Sequence, residues 1–468
     1  MSAEPARTAV IVGGGFSGAL LGLKLHRARS GWKIIIVEQK PRAGGGVAYG
    51  ACGPDQLLNA PVARMDVGLS PSFSAWLGVR RGELADALAE SGGDLNAAFV
   101  PRRLFGDYLA ERVAEATGLT CVRGEAVRLL GGARGVRLGD GREVRGDIVV
   151  LAVGNLPPQS PTGLPAEICN SGLFIPDPWA SGAFDRVTPD EPVLLIGAGL
   201  TMVDTALRLT RECRRGQILA MSRHGLQPRV HRAGGTWPSF LNDHLGAPPL
   251  ALLRRVRTEV ARADADGVPW QRVIDAIRPV AASIWKAWGK PQRQQFLRHL
   301  RPHWEVFRHR LAPRIGATLD DLMAEGRLDL LAGRITALRI DGGMIEATIA
   351  LRGGGARIFR AGHVVNCTGP GNGFDGAVPP LIADLRTRGL ASRDALGLGL
   401  ASDDCAVLDA SGRPSNWLFA LGPLTRPGWW EITAAPEINQ QIDRLVAHLA
   451  TEVPTPRIAE FVTMGEGI

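Results

Sequence analysis

Six residues, Gly13-Gly14-Gly15-Phe16-Ser17-Gly18, constrain this chain more than any others, because of what stands on either side of them. Before them runs Ala9-Val10-Ile11-Val12, a short apolar stretch that reads as a buried strand. After them runs Ala19-Leu20-Leu21-Gly22-Leu23-Lys24-Leu25, which reads as a helix. A second apolar strand, Trp32-Lys33-Ile34-Ile35-Ile36-Val37, leads into Glu38, 20 residues beyond Gly18. Strand, glycine turn, helix, strand and acid in this order make a dinucleotide-binding unit. Gly13 makes the turn, Gly15 lets the backbone approach a pyrophosphate, and Gly18 lets helix and strand pack closely. The helix start at Phe16 and Ser17 holds the phosphates, and Glu38 accepts the ribose hydroxyls. An adenine dinucleotide site is expected here.

A comparable unit recurs at Pro192-Val193-Leu194-Leu195-Ile196, followed by Gly197-Ala198-Gly199-Leu200-Thr201-Met202, a helix from Val203 to Leu209 and the strand Ile218-Leu219-Ala220-Met221. Met202 stands in place of the third glycine, which loosens the fit. Ser222-Arg223-His224 follows the second strand, with no acid to hold a ribose diol. A serine and a guanidinium there suit the 2′-phosphate of NADP, so NADPH is expected over NADH; the alternative is a solvated loop arginine. Each unit is followed by short alternating strands that end in an apolar strand and a glycine crossover, at Gly154-Asn155 and at Gly369-Pro370. Two such units are what a flavoprotein with two dinucleotides needs: one holds FAD and the other delivers a nicotinamide.

Composition narrows the choice by exclusion. The 468 residues, 45% hydrophobic and 21% charged, are those of a globular protein long enough for two to four domains. Six cysteines without a C-x-x-C argue against a disulfide scaffold, a zinc site and a dithiol redox centre. No apolar run approaches the roughly 18 to 20 residues of a membrane span, and Met1-Ser2-Ala3-Glu4 opens no signal-peptide pattern, so a soluble cytoplasmic protein is expected. The net charge of +8 is uneven: residues 208–314 carry 21 Lys+Arg against 7 Asp+Glu, a local +14, which leaves 8 − 14 = −6 for the rest. No nucleic-acid motif accompanies that charge, and nucleic-acid binding is not expected.

The chain resembles the FAD- and NAD(P)H-dependent flavoproteins that include glutathione-reductase-like enzymes and flavin monooxygenases, both N-hydroxylating and class B. It is more closely similar to a bacterial group of FAD/NAD(P)-binding proteins. The closer likeness rests on Val47-Ala48-Tyr49-Gly50, Leu57-Leu58-Asn59-Ala60-Pro61 with Met65, Phe99-Val100-Pro101-Arg102-Arg103, Ser222-Arg223-His224-Gly225-Leu226 with Arg229 and His231, Phe296 to Arg301, Arg308-His309-Arg310, Leu421-Gly422-Pro423 and Trp430-Glu431-Ile432-Thr433-Ala434. It spans nearly the whole sequence. It implies an α/β chain of two Rossmann-like domains in the glutathione-reductase-like arrangement, with a helical insertion. The FAD-binding domain is expected at 1–160 and 360–468, the NADP-binding domain at 185–239 and 326–359, and the insertion at 240–325. Leu418 to Pro423 would return a strand to the first domain, and a helix beginning near Pro436 would point its N-terminus towards the flavin. Gly154, Gly369, Gly422, Pro423 and Thr433 are the implied cofactor contacts beyond the two glycine loops. Many relatives place Asp where Pro423 stands, so no side-chain contact is assigned there. Asn59 is the candidate at the reacting flavin ring, with a turn asparagine as the alternative.

Within the insertion, Phe296, Leu300, Trp304, Phe307 and Leu311 recur at helical spacing, with Pro302 kinking or starting a helical piece. Arg298, Arg301, Arg308 and Arg310 with His299, His303 and His309 flank this stripe. They read either as a solvated face or as an anion-binding wall, and Arg229, His231, Arg298 and Arg301 are the candidate substrate residues. No metal site is expected. The expected function is that of an NADPH-dependent FAD monooxygenase acting through a flavin hydroperoxide on a small polar substrate, a carboxylated amine if the basic wall is real, with O₂ as co-substrate. A reductase passing electrons to a quinone or protein acceptor stays open, as does a flavin-binding sensor; the sequence does not set the oligomeric state.

Overall fold

The computed structural model describes residues 7–50, 52–211, 215–371 and 378–451. The chain's first four residues, on which the absence of a leader was read, lie outside them. Among the described residues the chain builds two seven-stranded sheets. The first runs in the order Ser402–Asp403, Ala406–Leu408, Pro414–Ala420, Ile148–Leu151, Thr8–Val12, Lys33–Glu38, Leu119–Arg123. Its five strands from Pro414–Ala420 to Leu119–Arg123 are parallel, and the first two strands are antiparallel to their neighbours. The unbroken apolar runs VIV and IVVL are the pattern of strands covered on both faces. One face is covered by the helices Phe16–Ala28, Arg102–Glu115 and Ala435–Thr451. The other is covered by a three-stranded antiparallel sheet, Ala126–Leu129, Gly135–Leu138 and Glu143–Arg145, and the helix Pro380–Thr387. The returning strand pairs Leu418, Phe419 and Ala420 with Val149, Val150 and Leu151, as the resemblance implied.

The second sheet runs Ala356–Ala361, Met344–Leu351, Leu328–Asp341, Ile218–Ser222, Val193–Ile196, His363–Asn366, Phe174–Ile175. Here the meander is not a separate sheet. Leu328–Asp341 pairs parallel with Ile218–Ser222 through its first residues, then continues into an antiparallel ribbon. Two expected boundaries change. His363–Asn366 pairs with Val193–Ile196, so the second unit extends past 360. The helix Pro313–Ala324 also leaves the insertion: Ile315, Leu319 and Leu322, on one face, join the core formed with Val193, Leu195 and Ala206.

The remaining insertion consists of the helices Pro249–Ala265, Trp270–Ala287, Lys290–His299 and Arg301–Arg308. The last two are separate at Leu300, as Pro302 requires. Their aromatic core does not close on itself. Trp285 stacks on Trp430 of the C-terminal segment with ring centroids 4.8 Å apart, Phe296 packs edge-on to the same ring, and Trp285 Nε1 donates to the Pro427 carbonyl at 2.7 Å. The insertion therefore docks on the first unit's returning segment. Leu311, the last residue of the apolar stripe, lies instead in the second unit's core.

Candidate functional site

In the first glycine loop, Gly13 has φ +100°, and a Cβ there would overlap the Ala152 carbonyl oxygen. A Cβ on Gly18 would overlap the Gly13 carbonyl oxygen, which is the close helix–strand approach its spacing implied. Gly15 caps the helix Phe16–Ala28 without a side-chain hydrogen bond, and no acid occupies the first turn. The helix start thus offers main-chain N–H groups to an anion. The Glu38 carboxylate is fixed at the same place, accepting from the Gly14 N–H at 2.7 Å and the Lys40 N–H at 2.8 Å, with one lone pair per oxygen left for hydroxyls. The cradle fits the phosphates and ribose of a dinucleotide.

The returning segment closes over that loop. Gly422, at φ +71°, lies so near Ser17 that a Cβ would come within 3.0 Å of Ser17 Oγ. Its N–H donates to Gln441 Oε1 at 2.8 Å, Gln441 Nε2 donates to Thr425 Oγ1 at 2.8 Å, and Thr425 donates to the Gly422 carbonyl at 2.8 Å. This buried ring of bonds sets the turn that carries Pro423 and Leu424. The turn opens on a cleft of 350 Å³ lined by Gly154, Gly369, Pro423, Thr433, Arg301 and Arg426, among others. The two glycine crossovers, the C-terminal segment and the insertion therefore meet at one cavity. Arg301 Nε and Arg426 Nη2 both donate to Glu305 Oε1, at 2.8 and 3.2 Å. Burial opposes charge on Glu305, but the two guanidiniums outweigh it and hold the carboxyl below its usual range.

In the second glycine loop Gly197 has φ +125° and packs on the Cys367 carbonyl, while Gly199 faces open space ahead of Leu200 and Thr201, the first residues of the helix Leu200–Arg211. Met202, in the third glycine's place, is buried in the unit's core. Ser222 Oγ accepts from the Gly225 N–H at 3.0 Å, and Arg223 is exposed.

Other candidates fall elsewhere. Asn59 does not line the cleft; its Oδ1 accepts from Arg102 at 3.2 Å and its carbonyl accepts from His231 Nε2 at 2.9 Å. Burial and the Arg310 charge push the His231 pKa down to about 4, so the ring is neutral and donates through Nε2. Arg229 is exposed, with its guanidinium 5.8 Å above the Phe307 ring, and Arg298 is exposed on the helix Lys290–His299. Arg308 and Arg310 are neither a solvated face nor a wall of the cleft. Both are buried, Arg308 pairing with Glu431 at 3.1 Å and Glu437 at 2.9 Å, and Arg310 with Asp275. Arg426 and Glu305 at the cleft escaped the sequence reading, as did the buried pair Arg102–Asp204, at 2.8 Å, which ties the two units together. A local clue did exist for Arg102: a cation in the first turn of a helix stands against the dipole and needs a partner from elsewhere.

Residues 10–156 match the family model described as FAD-NAD(P)-binding. Among curated proteins none matches the sequence. Solved structures do match over almost the whole chain. The ornithine N-hydroxylase of Kutzneria sp. 744, solved with reduced FAD, NADP⁺ and L-ornithine, has a TM-score of 0.64 at 16% identity, covering 95% of this chain and 99% of that one. The L-lysine 6-monooxygenase of Pseudomonas syringae has a TM-score of 0.64 at 17% identity, with 95% and 100% covered. The cadaverine monooxygenase of Erwinia amylovora, bound to FAD, has a TM-score of 0.63 at 13% identity, with 99% and 100% covered. At these identities the likeness fixes the fold, the two-unit α/β architecture expected from the glycine loops.

Proposed function

We propose that this protein is an NADPH-dependent FAD monooxygenase that hydroxylates a small amine. FAD, when bound, supplies the redox chemistry, accepting reducing equivalents from NADPH and activating O₂. The first unit holds it by the N–H groups at Phe16, Ser17 and Gly18, with Glu38 on the ribose and the Gly422–Thr425 turn closing over the loop. The second unit holds NADPH at Gly197, Gly199, Leu200 and Thr201, with Ser222 and Arg223 on its distal phosphate. The single observation that carries the reading is the cleft shared by Gly154 and Gly369, where the crossovers of both units reach one cavity. The chain's own residues bind, orient and exclude water there, and catalysis of this kind needs little further acid or base machinery.

The likeness to an ornithine N-hydroxylase, an L-lysine 6-monooxygenase and a cadaverine monooxygenase supports an amine as substrate. Arg301 and Arg426 share one acid, so the cleft wall keeps an excess positive charge suited to a carboxylate on that amine. Asn59 stands away from this cleft, its Oδ1 accepting from Arg102. Among the described residues no helix is long and apolar enough to cross a membrane.

The test is anaerobic reduction of the holoprotein by NADPH, followed by air, with ornithine, lysine, cadaverine and other amines, and mass analysis of the products. The expected result is amine-dependent NADPH consumption with one oxygen atom gained by the amine. Rapid reduction of a quinone with no oxygenated amine would assign the protein to the reductases instead.

A further inference from the structure

Five basic side chains gather at one end of the second sheet. Gly225, at φ +60°, is seated against Ala332, and the Arg352 N–H donates to the Ala332 carbonyl at 2.9 Å. These contacts bring together the loop after Ile218–Ser222, the middle of Leu328–Asp341 and the end of Met344–Leu351. There Arg352 Nη1 donates to His224 Nδ1 at 2.7 Å. The ring of His303, from the insertion helix Arg301–Arg308, lies 6.1 Å from that of His224. Arg223 and Arg334 complete the group. Among the described residues no carboxylate pairs with Arg223, Arg334 or Arg352, whereas Arg301, Arg308 and Arg310 of the neighbouring insertion each have one.

The Arg352–His224 bond fixes a protonation state. A guanidinium only donates, so Nδ1 must keep its lone pair, and His224 is the neutral tautomer with its proton on Nε2. Partial burial and then the charges of Arg352, Arg223, His303 and Arg334 hold its pKa below the usual value, in agreement with the geometry. A histidine kept neutral by four cationic or titratable neighbours, with no acid to offset them, leaves an electrostatic unit that a multivalent anion completes. A phosphate monoester, carrying roughly −1.5 to −2 near neutral pH with three acceptor oxygens, has the charge and the acceptors for it.

We propose that this cluster seats the 2′-phosphate of NADPH, held by Arg223, His224 and Arg352 of the second unit and by His303 of the insertion. The proposal rests on the NADPH reading above and goes beyond it in two respects. Arg352 and His303 are assigned although they stand 129 and 80 residues from Arg223 in the sequence. The phosphate also bridges two bodies: His303 shares its helix with Arg301, so the group that distinguishes NADPH from NADH ties down the element whose first residue lines the cleft. Arg352 and His303 are thus specificity-determining residues that no local motif marks.

The experiment measures binding of 2′,5′-ADP and 5′-AMP to the FAD-loaded protein by calorimetry, at low and high salt, for the wild type, Arg352→Gln, His303→Gln and Arg223→Ala. Both glutamine sites are exposed, and equal melting temperatures will establish that the variants fold. The wild type is expected to prefer 2′,5′-ADP, the preference weakening with salt. Arg352→Gln should lose about 10- to 100-fold in 2′,5′-ADP affinity and His303→Gln about threefold or more, with 5′-AMP unchanged for both. An unchanged ratio in both glutamine variants, with the ratio lost in Arg223→Ala, overturns the shared site and confines the phosphate to Arg223. A wild type that binds both nucleotides equally overturns the phosphate site and leaves NADH as the donor. A wild type that binds neither sinks the NADPH reading itself.

Discussion

Replacing Asp204 by Ala removes one half of the ion pair that joins the two nucleotide units. Asp204 lies on the helix Leu200–Arg211 and Arg102 in the first turn of Arg102–Glu115, 2.8 Å apart, with side chains 6% and 12% exposed. The substitution leaves a guanidinium buried with no counter-charge, at the end of a helix where the dipole already disfavours it. Breaking a buried pair from one side costs about 3 to 5 kcal/mol. Arg102 keeps two neutral acceptors, the Leu57 carbonyl at 2.7 Å and Asn59 Oδ1 at 3.2 Å, so the lower end, about 3 kcal/mol, is expected. For domains of this size that is a fall of roughly 6 to 12 °C in the melting transition. The assay is thermal and urea unfolding of Asp204→Ala beside Asp204→Asn, which keeps an oxygen acceptor and should lose less. The double variant Arg102→Met, Asp204→Leu removes both charges and should recover a good part of the loss, because replacing a whole buried pair is far cheaper than halving it. If Asp204→Ala melts within 2 °C of the wild type, or the double variant is less stable than the single, the pair is not a buried clamp and the reasoning fails.

Gly18→Ala should abolish FAD uptake, since its Cβ would overlap the Gly13 carbonyl oxygen in the phosphate loop; purified protein with full flavin absorbance would contradict that geometry. Glu38→Gln keeps one acceptor but gives up the charge that holds the Gly14 and Lys40 N–H groups, and should weaken FAD about 10-fold, read by fluorescence titration of the apoprotein. His231 gives a pH signature: its pKa falls from 6.5 to about 4 on folding, so the unfolded chain takes up a proton between those values that the folded chain refuses. Stability present above pH 6.5 is therefore lost as pH falls through that window, by at most about 3 kcal/mol. His231→Gln, which keeps an N–H for the Asn59 carbonyl, should flatten the urea midpoint between pH 6.5 and 4.5; an unchanged slope would assign the acid sensitivity elsewhere.

How far each part of this molecule could be read from its sequence follows from the range of the interaction that places it. The glycine loops were legible because their demands are local: Gly13 needs its positive φ and Gly18 its bare Cα within a few residues of the strand that imposes them. The acid was legible because it falls within the same strand–helix–strand unit, where Glu38 ends the strand beside the loop and accepts from the Gly14 N–H. The strand His363–Asn366 was recognisable as an apolar strand, but nothing in those four residues says which sheet takes it, and the partner that decides, Val193–Ile196, lies far upstream. The same holds with more force for charge. A local +14 over residues 208–314 is a statement about composition, and composition alone leaves both a solvated face and an anion wall open. The structure resolves the choice one guanidinium at a time. Arg308 is neutralised by Glu437, 129 residues away, Arg310 by Asp275, and Arg301 only in part, because its acid is shared with Arg426. What reaches the cleft is therefore the small remainder left after local pairing, as of Arg301 with Glu305, and long-range pairing, as of Arg426 with the same acid, and that remainder, more than the excess the sequence displays, sets which anions the site can hold.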